Sequence, residues 1–306
     1  MRSWRVSRVL RVPTDAVACF AVPFDSYVVF VDMLGFADLV EREGDDLNEL
    51  TPVFAGVELY SPSPAPSLLG FRFINFHRCL QTARTNMQEG RSGTAIIFSD
   101  SAFFALDTLD KAITLARSLM YSLVTSDVPA RMGIAHGSFR GLRFSSDTSD
   151  QTSVHMSQFL GTGVVRAYKT ERCGLPGLRV MIHPDLESAL DRVKHRIVAV
   201  GDSVRRYPAV ESEVNYLDTD PQHAGPDYED VILFDCVHNL ELDADEAFAH
   251  HYKATFDALN VMRGQFGAPP YPWERYLDRD TYDKQHNVGP VSYSSERQHP
   301  RRVALY

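Results

Sequence analysis

Two aspartates hold the positions from which this chain could do chemistry. Asp32 closes the β-forming run Val28-Val29-Phe30-Val31, and the chain then turns through Met33-Leu34-Gly35-Phe36 into a helical stretch. A carboxylate at the end of a buried strand is costly to desolvate unless a metal, a cation or several N–H groups compensate it. An acid in this place also commonly caps the next helix, so this motif alone leaves both readings open. Asp100 lies in Ser99-Asp100-Ser101, with apolar β-formers on both sides, Thr94 to Phe98 and Ala102 to Leu106. That pattern predicts a tight hairpin with the acid at its turn. A third segment, Arg131-Met132-Gly133-Ile134-Ala135-His136-Gly137, is a strand running into a glycine. Helical stretches separate the three, giving the order strand, helices, hairpin, helix, strand.

Phe30-Val31-Asp32-Met33-Leu34-Gly35-Phe36, the hairpin Asp100, and Gly133-Ile134-Ala135-His136-Gly137 together resemble the class III nucleotidyl cyclase homology domain. A looser fourth match is Gly161-Thr162-Gly163-Val164-Val165-Arg166-Ala167-Tyr168-Lys169-Thr170-Glu171, which resembles that family's Gly-x-x-Val-Asn-x-Ala-x-Arg-x-Glu helix. The resemblance covers about residues 25 to 185. It implies an α/β (α+β) fold, with a mainly antiparallel central sheet, flanking helices and a C-terminal extension. It also implies two divalent ions, Mg²⁺ or Mn²⁺, held by Asp32, Asp100 and the backbone carbonyl of Met33. One ion would activate the ribose 3′-hydroxyl for attack on the α-phosphorus, and the other would neutralise the triphosphate. Class III sites form between two chains, so a homodimer is implied, with Gln158 and Lys169 of one copy facing the acids of the other.

The departures from the family pattern bear on the substrate. The purine-reading lysine is replaced by Ile96, the base-reading Asp by Gln158, the ribose-positioning Asn by Val165 and the transition-state Arg by Lys169. Isoleucine donates no hydrogen bond, and a purine in such a site would leave polar edges unpaired. Alternation puts Thr94, Ile96, Phe98 and Asp100 on one strand face, where Ile96 and Phe98 would fill purine space. The chain is therefore similar to the pyrimidine cyclases of bacterial anti-phage defence, the Pycsar cyclases, which form cyclic UMP or cyclic CMP. UTP is the favoured substrate and CTP the next; a purine cyclase with atypical base contacts and a silent nucleotide-binding module are the alternatives. Arg140 and Arg143 follow Gly137 closely enough to reach a triphosphate, although solvated arginines fit the same pattern. Asp38 reads as a helix-face acid and His136 as a structural histidine. His250 and His251 are adjacent and so face different ways on a helix.

Composition sets the frame. The 306 residues carry a net charge of −9, which argues against a nucleic-acid partner. Cys19, Cys79, Cys173 and Cys236 show no metal-binding spacing and read as reduced thiols of a cytoplasmic protein. No apolar run reaches about 18 residues, so no membrane span is expected. The arginines at 2, 5, 8 and 11 precede Pro13-Thr14-Asp15, which breaks any signal-peptide pattern. The expected division is a lead-in over 1–24 with an extra strand through Val17 to Val22, a cyclase homology domain over 25–240, and a C-terminal helix and tail over 241–306. Amphipathic spacing predicts a helix over 108–125 with Leu109, Ile113, Ala116, Leu119 and Leu123 inward. An earlier helix is expected to bury Phe71, Ile74, Cys79 and Leu80. Ser61 to Ser67 and 141–157 read as loops, Leu178 to Ile182, Ile197 to Val200 and Asp230 to Cys236 as strands, 184 onward as a helix, and Leu242 to Gly264 as one helix.

Overall fold

Strand β2, Ser26–Met33, is the centre of the computed structural model, which describes residues 17–18, 25–43, 67–89, 93–148, 151–200, 208–217 and 228–271. It pairs antiparallel with β4 (Ser101–Leu106) on one edge and with β5 (Ala130–Gly137) on the other. Outside β4 lies β3 (Gly93–Ile97), and outside β5 lie β8 (Val180–Ile182), β10 (Ser212–Val214) and β9 (Ile197–Ala199). The seven-stranded order is β3-β4-β2-β5-β8-β10-β9, and of these pairings only β5–β8 is parallel. This is the expected mainly antiparallel sheet with flanking helices. A separate three-stranded sheet joins β1 (Val17–Ala18), β6 (Arg140–Thr148) and β7 (Gln151–Leu160). The chain divides into two units, Met1–Pro269 and Pro270–Tyr306, and the first holds every element named here.

Six α-helices accompany the strands among the described residues: α1 (Phe36–Glu43), α2 (Leu68–Glu89), α3 (Leu109–Thr125), α4 (Thr162–Glu171), α5 (Tyr228–Leu242) and α6 (Ala249–Gly264). Val28 and Phe30 point to one face of β2, Val29 and Val31 to the other, and none is more than 3% exposed. Both faces are therefore covered, which explains why the strand reads as an unbroken apolar run rather than an alternating one. On the first face, Val164 and Ala167 of α4 pack into a cluster with Val28, Phe30, Phe103, Ala105, Ala135 and Phe139. Helix α3 touches the same strands and so covers the second face. Its inward residues include the five expected from spacing, and the Thr108 side chain caps it by accepting from the Lys111 N–H. Helix α2 lies beside α3 with Leu69, Phe76 and Leu80 fully buried, whereas Phe71, Ile74 and Cys79 are only part-buried.

Gly133 sets how closely α4 can sit. A Cβ there would come within 2.2 Å of the Ala167 carbonyl oxygen and 2.6 Å of the Glu171 nitrogen. Both are backbone atoms of α4, so no rotamer change relieves the overlap. Gly133→Ala is therefore expected to destabilise the protein by about 1–3 kcal/mol, the range for overpacking in a close-packed core. Chemical denaturation measures it, and an unchanged midpoint would refute the close approach.

Four expectations need correction. Residues 230–236 are helical, within α5, because Leu233, Phe234, Val237 and Leu240 bury at helical spacing despite the strand-like Val-Ile-Leu-Phe run. Residues 141–157 are largely strand, in the β6–β7 hairpin. Leu142, Phe144, Val154 and Met156 alternate with polar neighbours there, a period-two signal diluted by Ser and Thr. The helix expected from Leu242 begins at Ala249, after the 3₁₀ turn Glu246–Phe248 that Asp245 caps. The segment after Pro184 is a 3₁₀ helix, Pro184–Arg196, bent at Val193. Of the proposed lead-in strand, only Val17–Ala18 falls within the described residues, and the loop at 61–66 and the tail beyond 271 lie outside them.

The C-terminal helices are tied to the far side of the sheet. Leu178 and Gly177 donate their N–H groups to Thr255 Oγ1 at 2.9 Å and to His251 Nδ1 at 3.0 Å. Phe234 and Phe256 stack at 5.9 Å between α5 and α6. Nearby, buried Arg179 and Glu213 form an ion pair at 2.9 Å.

Candidate active site

The hairpin and the central strand place Asp32 and Asp100 side by side. Pairing of β2 with β4 sets Asp32 opposite Ser101, the residue after Asp100. The turn is as tight as expected: the Phe98 N–H donates to the Ser101 carbonyl at 2.7 Å, leaving Ser99 and Asp100 as its two corner residues. A second bond, from the Met33 N–H to the Asp100 carbonyl at 2.9 Å, pins this corner to the end of β2. Asp100 thus sits in the turn itself, one step beyond the strand face on which the alternation placed it. After Asp32 the chain reverses at Gly35, whose φ of +73° suits a residue without a side chain, and enters α1.

Three further charges surround Asp32. On its other edge it stands opposite Arg131 of β5. The Arg131 guanidinium lies 3.2 Å from the buried Glu171 carboxylate, a close ionic contact without hydrogen-bond alignment, and also donates from Nη2 to the Glu171 carbonyl. Arg172 approaches Glu171 from outside at 3.7 Å and stacks over Tyr168. Burial raises the Asp32 pKa, and the negative charges of Glu171 and Asp100 raise it further. Arg172 and Arg131 pull it down only in part, so it is pushed up to about 7. Burial raises Glu171 as well. The site holds more negative charge than its two arginines offset, which is a fit for a divalent cation with oxygen ligands. Among the described residues no group of three or more His, Cys, Asp or Glu side chains is gathered for a metal. The two acids would need a backbone carbonyl, water or phosphate oxygens to complete a shell, as Mg²⁺ sites on nucleotides commonly do.

Beside the acids the surface is apolar and aromatic. Ile96 packs against the cluster under α4, opposite Phe103 in register. Phe98 lies 5.5 Å from Phe159 and 6.4 Å from Phe103, and it is 38% exposed. Met33 is buried. Lys169 and Arg140 are exposed, on α4 and at the start of β6. Gln158 falls on β7 opposite Leu142, and its side chain is outside the described residues. A single chain therefore gathers Asp32, Met33 and Asp100, with Ile96 and Phe98 on the adjoining strand and turn. Arg131 and Glu171 belong beside this constellation although spacing did not single them out. Their signal is faint: one charge inside the apolar strand Ala130-Arg131-Met132, and one at the end of a helix.

No protein-family model matches the sequence, and no curated protein matches it. Among solved structures, the chain is similar to a bacterial light-regulated adenylyl cyclase at 13% identity and a TM-score of 0.42, over 70% of this chain and 57% of that one. It is similar to the catalytic core of a rhodopsin-guanylyl cyclase with converted specificity, in complex with ATPαS, at 10% identity and a TM-score of 0.40 over 66% of this chain and 97% of that one. The guanylyl cyclase Cya2 is similar at 13% identity and a TM-score of 0.38, over 66% of this chain and 96% of that one. No helix among the described residues is long and apolar enough to cross a membrane.

Proposed function

We propose that this chain is a nucleotidyl cyclase that converts a pyrimidine nucleoside triphosphate, UTP first and CTP next, to its 3′,5′-cyclic monophosphate and pyrophosphate. The observation that carries the reading is the pinned pair Asp32 and Asp100, two acids crowded until one is pushed up to about 7. These acids and the Met33 carbonyl are the groups that would hold Mg²⁺ or Mn²⁺. Bound there, the ions would supply charge stabilisation to the triphosphate and acidify the attacking hydroxyl. Arg131 keeps Glu171 from adding its full charge to the pair and so tunes how strongly the site draws cations. Ile96 and Phe98 give the base a hydrophobic wall, and Arg140 is a candidate for the phosphates. The resemblance to the Pycsar cyclases supports a role for the product as a signal in bacterial anti-phage defence.

The complete cleft is shared by two copies in this reading. Val165, Tyr168 and Lys169 lie on the outward face of α4, opposite its buried Val164, Ala167 and Thr170. Val165 is 51% exposed and Tyr168 39%, an apolar outer face that a second copy would cover. Lys169 and Gln158 would then meet the acids of the partner chain. Mixing Asp32→Ala protein with Lys169→Ala protein is expected to restore about a quarter of wild-type turnover, the share of intact clefts in a random two-fold dimer. No recovery, with both variants folded and dimeric, would refute the shared cleft. The reading as a whole is tested by incubating the protein with each of the four nucleoside triphosphates and Mn²⁺ and resolving products by mass. A cyclic pyrimidine nucleotide is the expected product, and no cyclic product from any of the four would overturn the proposal.

A further inference from the structure

Asp100 is held at both of its flanking peptides, by two different elements. The peptide after it is fixed by β2, through the Met33 N–H and the Asp100 carbonyl. The peptide before it is fixed by α2, where His77 Nε2 donates to the Ser99 carbonyl at 2.9 Å. A carbonyl only accepts, so Nε2 must carry the proton. The Asp100 carboxylate itself accepts from Ser99 Oγ at 3.2 Å. This corner needs such help. Two-residue hairpin turns favour corner residues with positive φ, usually glycine or asparagine, because that hand matches the twist of the strands. Among the described non-glycine residues only Asp127 has a positive φ, so neither Ser99 nor Asp100 does. The peptide that joins two corner residues is also the one that rotates when a turn changes type.

Helix α2 is placed to hold that peptide still. Phe73 and His77 are four residues apart and so share one face of the helix. The His77 ring rests against Phe73 at 4.5 Å, and Phe73 stacks on Phe36 at 5.9 Å. Phe36 opens α1, directly after the turn that follows Asp32. One face of α2 therefore touches both acid-bearing corners. The helix is tied at its start, where the Leu69 N–H donates to Glu43 Oε2 at 3.0 Å, and further along, where Asn75 Nδ2 donates to the Ser126 carbonyl at 3.2 Å. We propose that His77 is a positioning residue for the metal site: by holding the Ser99–Asp100 peptide from α2, it sets the aim of the Asp100 carboxylate toward a divalent cation. The use of that cation in turnover rests on the cyclase reading, whereas the aiming of Asp100 does not.

The test compares His77→Phe, which keeps a ring against Phe73 but has no donor, with His77→Gln, whose Nε2 amide can reach the same carbonyl. His77 is only part-buried, so both should fold, and His77→Ala serves as a second donor-free variant. Mn²⁺ alone is titrated into the full chain, and the bound ion is read from loss of the free-ion electron paramagnetic resonance signal. His77→Phe should weaken Mn²⁺ binding about three- to tenfold, the size of one neutral hydrogen bond, and His77→Gln should stay within about twofold of wild type. In turnover of UTP, the Mn²⁺ concentration for half-activation should rise by the same factor in His77→Phe, with kcat at saturating Mn²⁺ unchanged. A merely structural role would instead lower kcat through loss of folded protein and leave that concentration alone. Equal Mn²⁺ affinity in wild type and the donor-free variants, no rescue by His77→Gln, or no Mn²⁺ binding by the wild type would overturn the assignment. Mn²⁺ binding that depends on His77, without turnover of any triphosphate, would leave the positioning role standing and sink the cyclase reading. Turnover with a Mn²⁺ affinity indifferent to His77 would do the reverse.

Discussion

Asp32→Asn and Asp100→Asn should each reduce formation of cyclic nucleotide about a thousandfold or more while leaving a folded protein. A lost carboxylate ligand removes several kcal/mol of charge stabilisation from the reacting phosphate. Glu171, the other acid acting on Asp32, is buried in ionic contact with Arg131. The same substitution at Asp32 should make the metal-free protein more stable. In the fold the Asp32 carboxyl titrates near 7, against an ordinary value of 3.8, so folding favours its neutral form. That contribution is fully present below about pH 4 and is lost as pH rises through 7. Asparagine never ionises, so the advantage of Asp32→Asn is absent in acid, grows between about pH 4 and pH 7 and is full above 7. Solvent at this part-exposed site limits it to on the order of 1–2 kcal/mol. Thermal melts at pH 4 and pH 8 with a chelator present, beside product assays with Mn²⁺, check both halves. Substantial activity in either variant would sink the metal assignment, and an unchanged melt at pH 8 would sink the picture of crowded charge.

Turnover should favour UTP over ATP by roughly a hundredfold or more in kcat/KM. The base-reading lysine of the adenylate cyclases has no counterpart here: Ile96 is packed among Phe103 and its neighbours and cannot donate to a purine nitrogen. Phe98, seated between Phe103 and Phe159, adds apolar bulk beside it. Each buried polar group left unpaired costs about 1–3 kcal/mol, and two such losses reach the stated ratio. Competition assays with all four triphosphates measure it directly. Equal or faster use of ATP would mean that the base contacts lie elsewhere, on the partner chain or around Gln158.

Local signals explain what the sequence reveals of this molecule. The strand, turn and helix around Asp32 are legible because the apolar run, the acid and Gly35 lie within one short window. The hairpin around Asp100 is legible for the same reason, and so is the amphipathic face of α3. Helix α5 misleads because its densest four residues, Val-Ile-Leu-Phe, look like a buried strand, and only the later Val237 and Leu240 carry the helical period. The β6–β7 hairpin is hidden by serines and threonines that suit strands and loops alike. Among the site residues, the adjacency of the two acids follows from strand order, which the motif sequence suggests. The ionic contact between Arg131 and Glu171 spans forty positions and depends on how closely α4 sits on Gly133, information that no local pattern holds.

The pairing of β2 with both β4 and β5 also has a kinetic consequence. Asp32 is flanked by residues about 70 and 100 positions downstream, Ser101 and Arg131, so its surroundings close only through contacts distant along the chain. Such contacts lower folding rates, because loop entropy must be given up before they form. A ribosome-bound fragment ending before β5 carries both acids but lacks the strand that seats one of them, and it lacks α4 entirely. The surroundings of Asp32 are therefore complete only late, when the middle of the chain has been made and folded back onto its beginning.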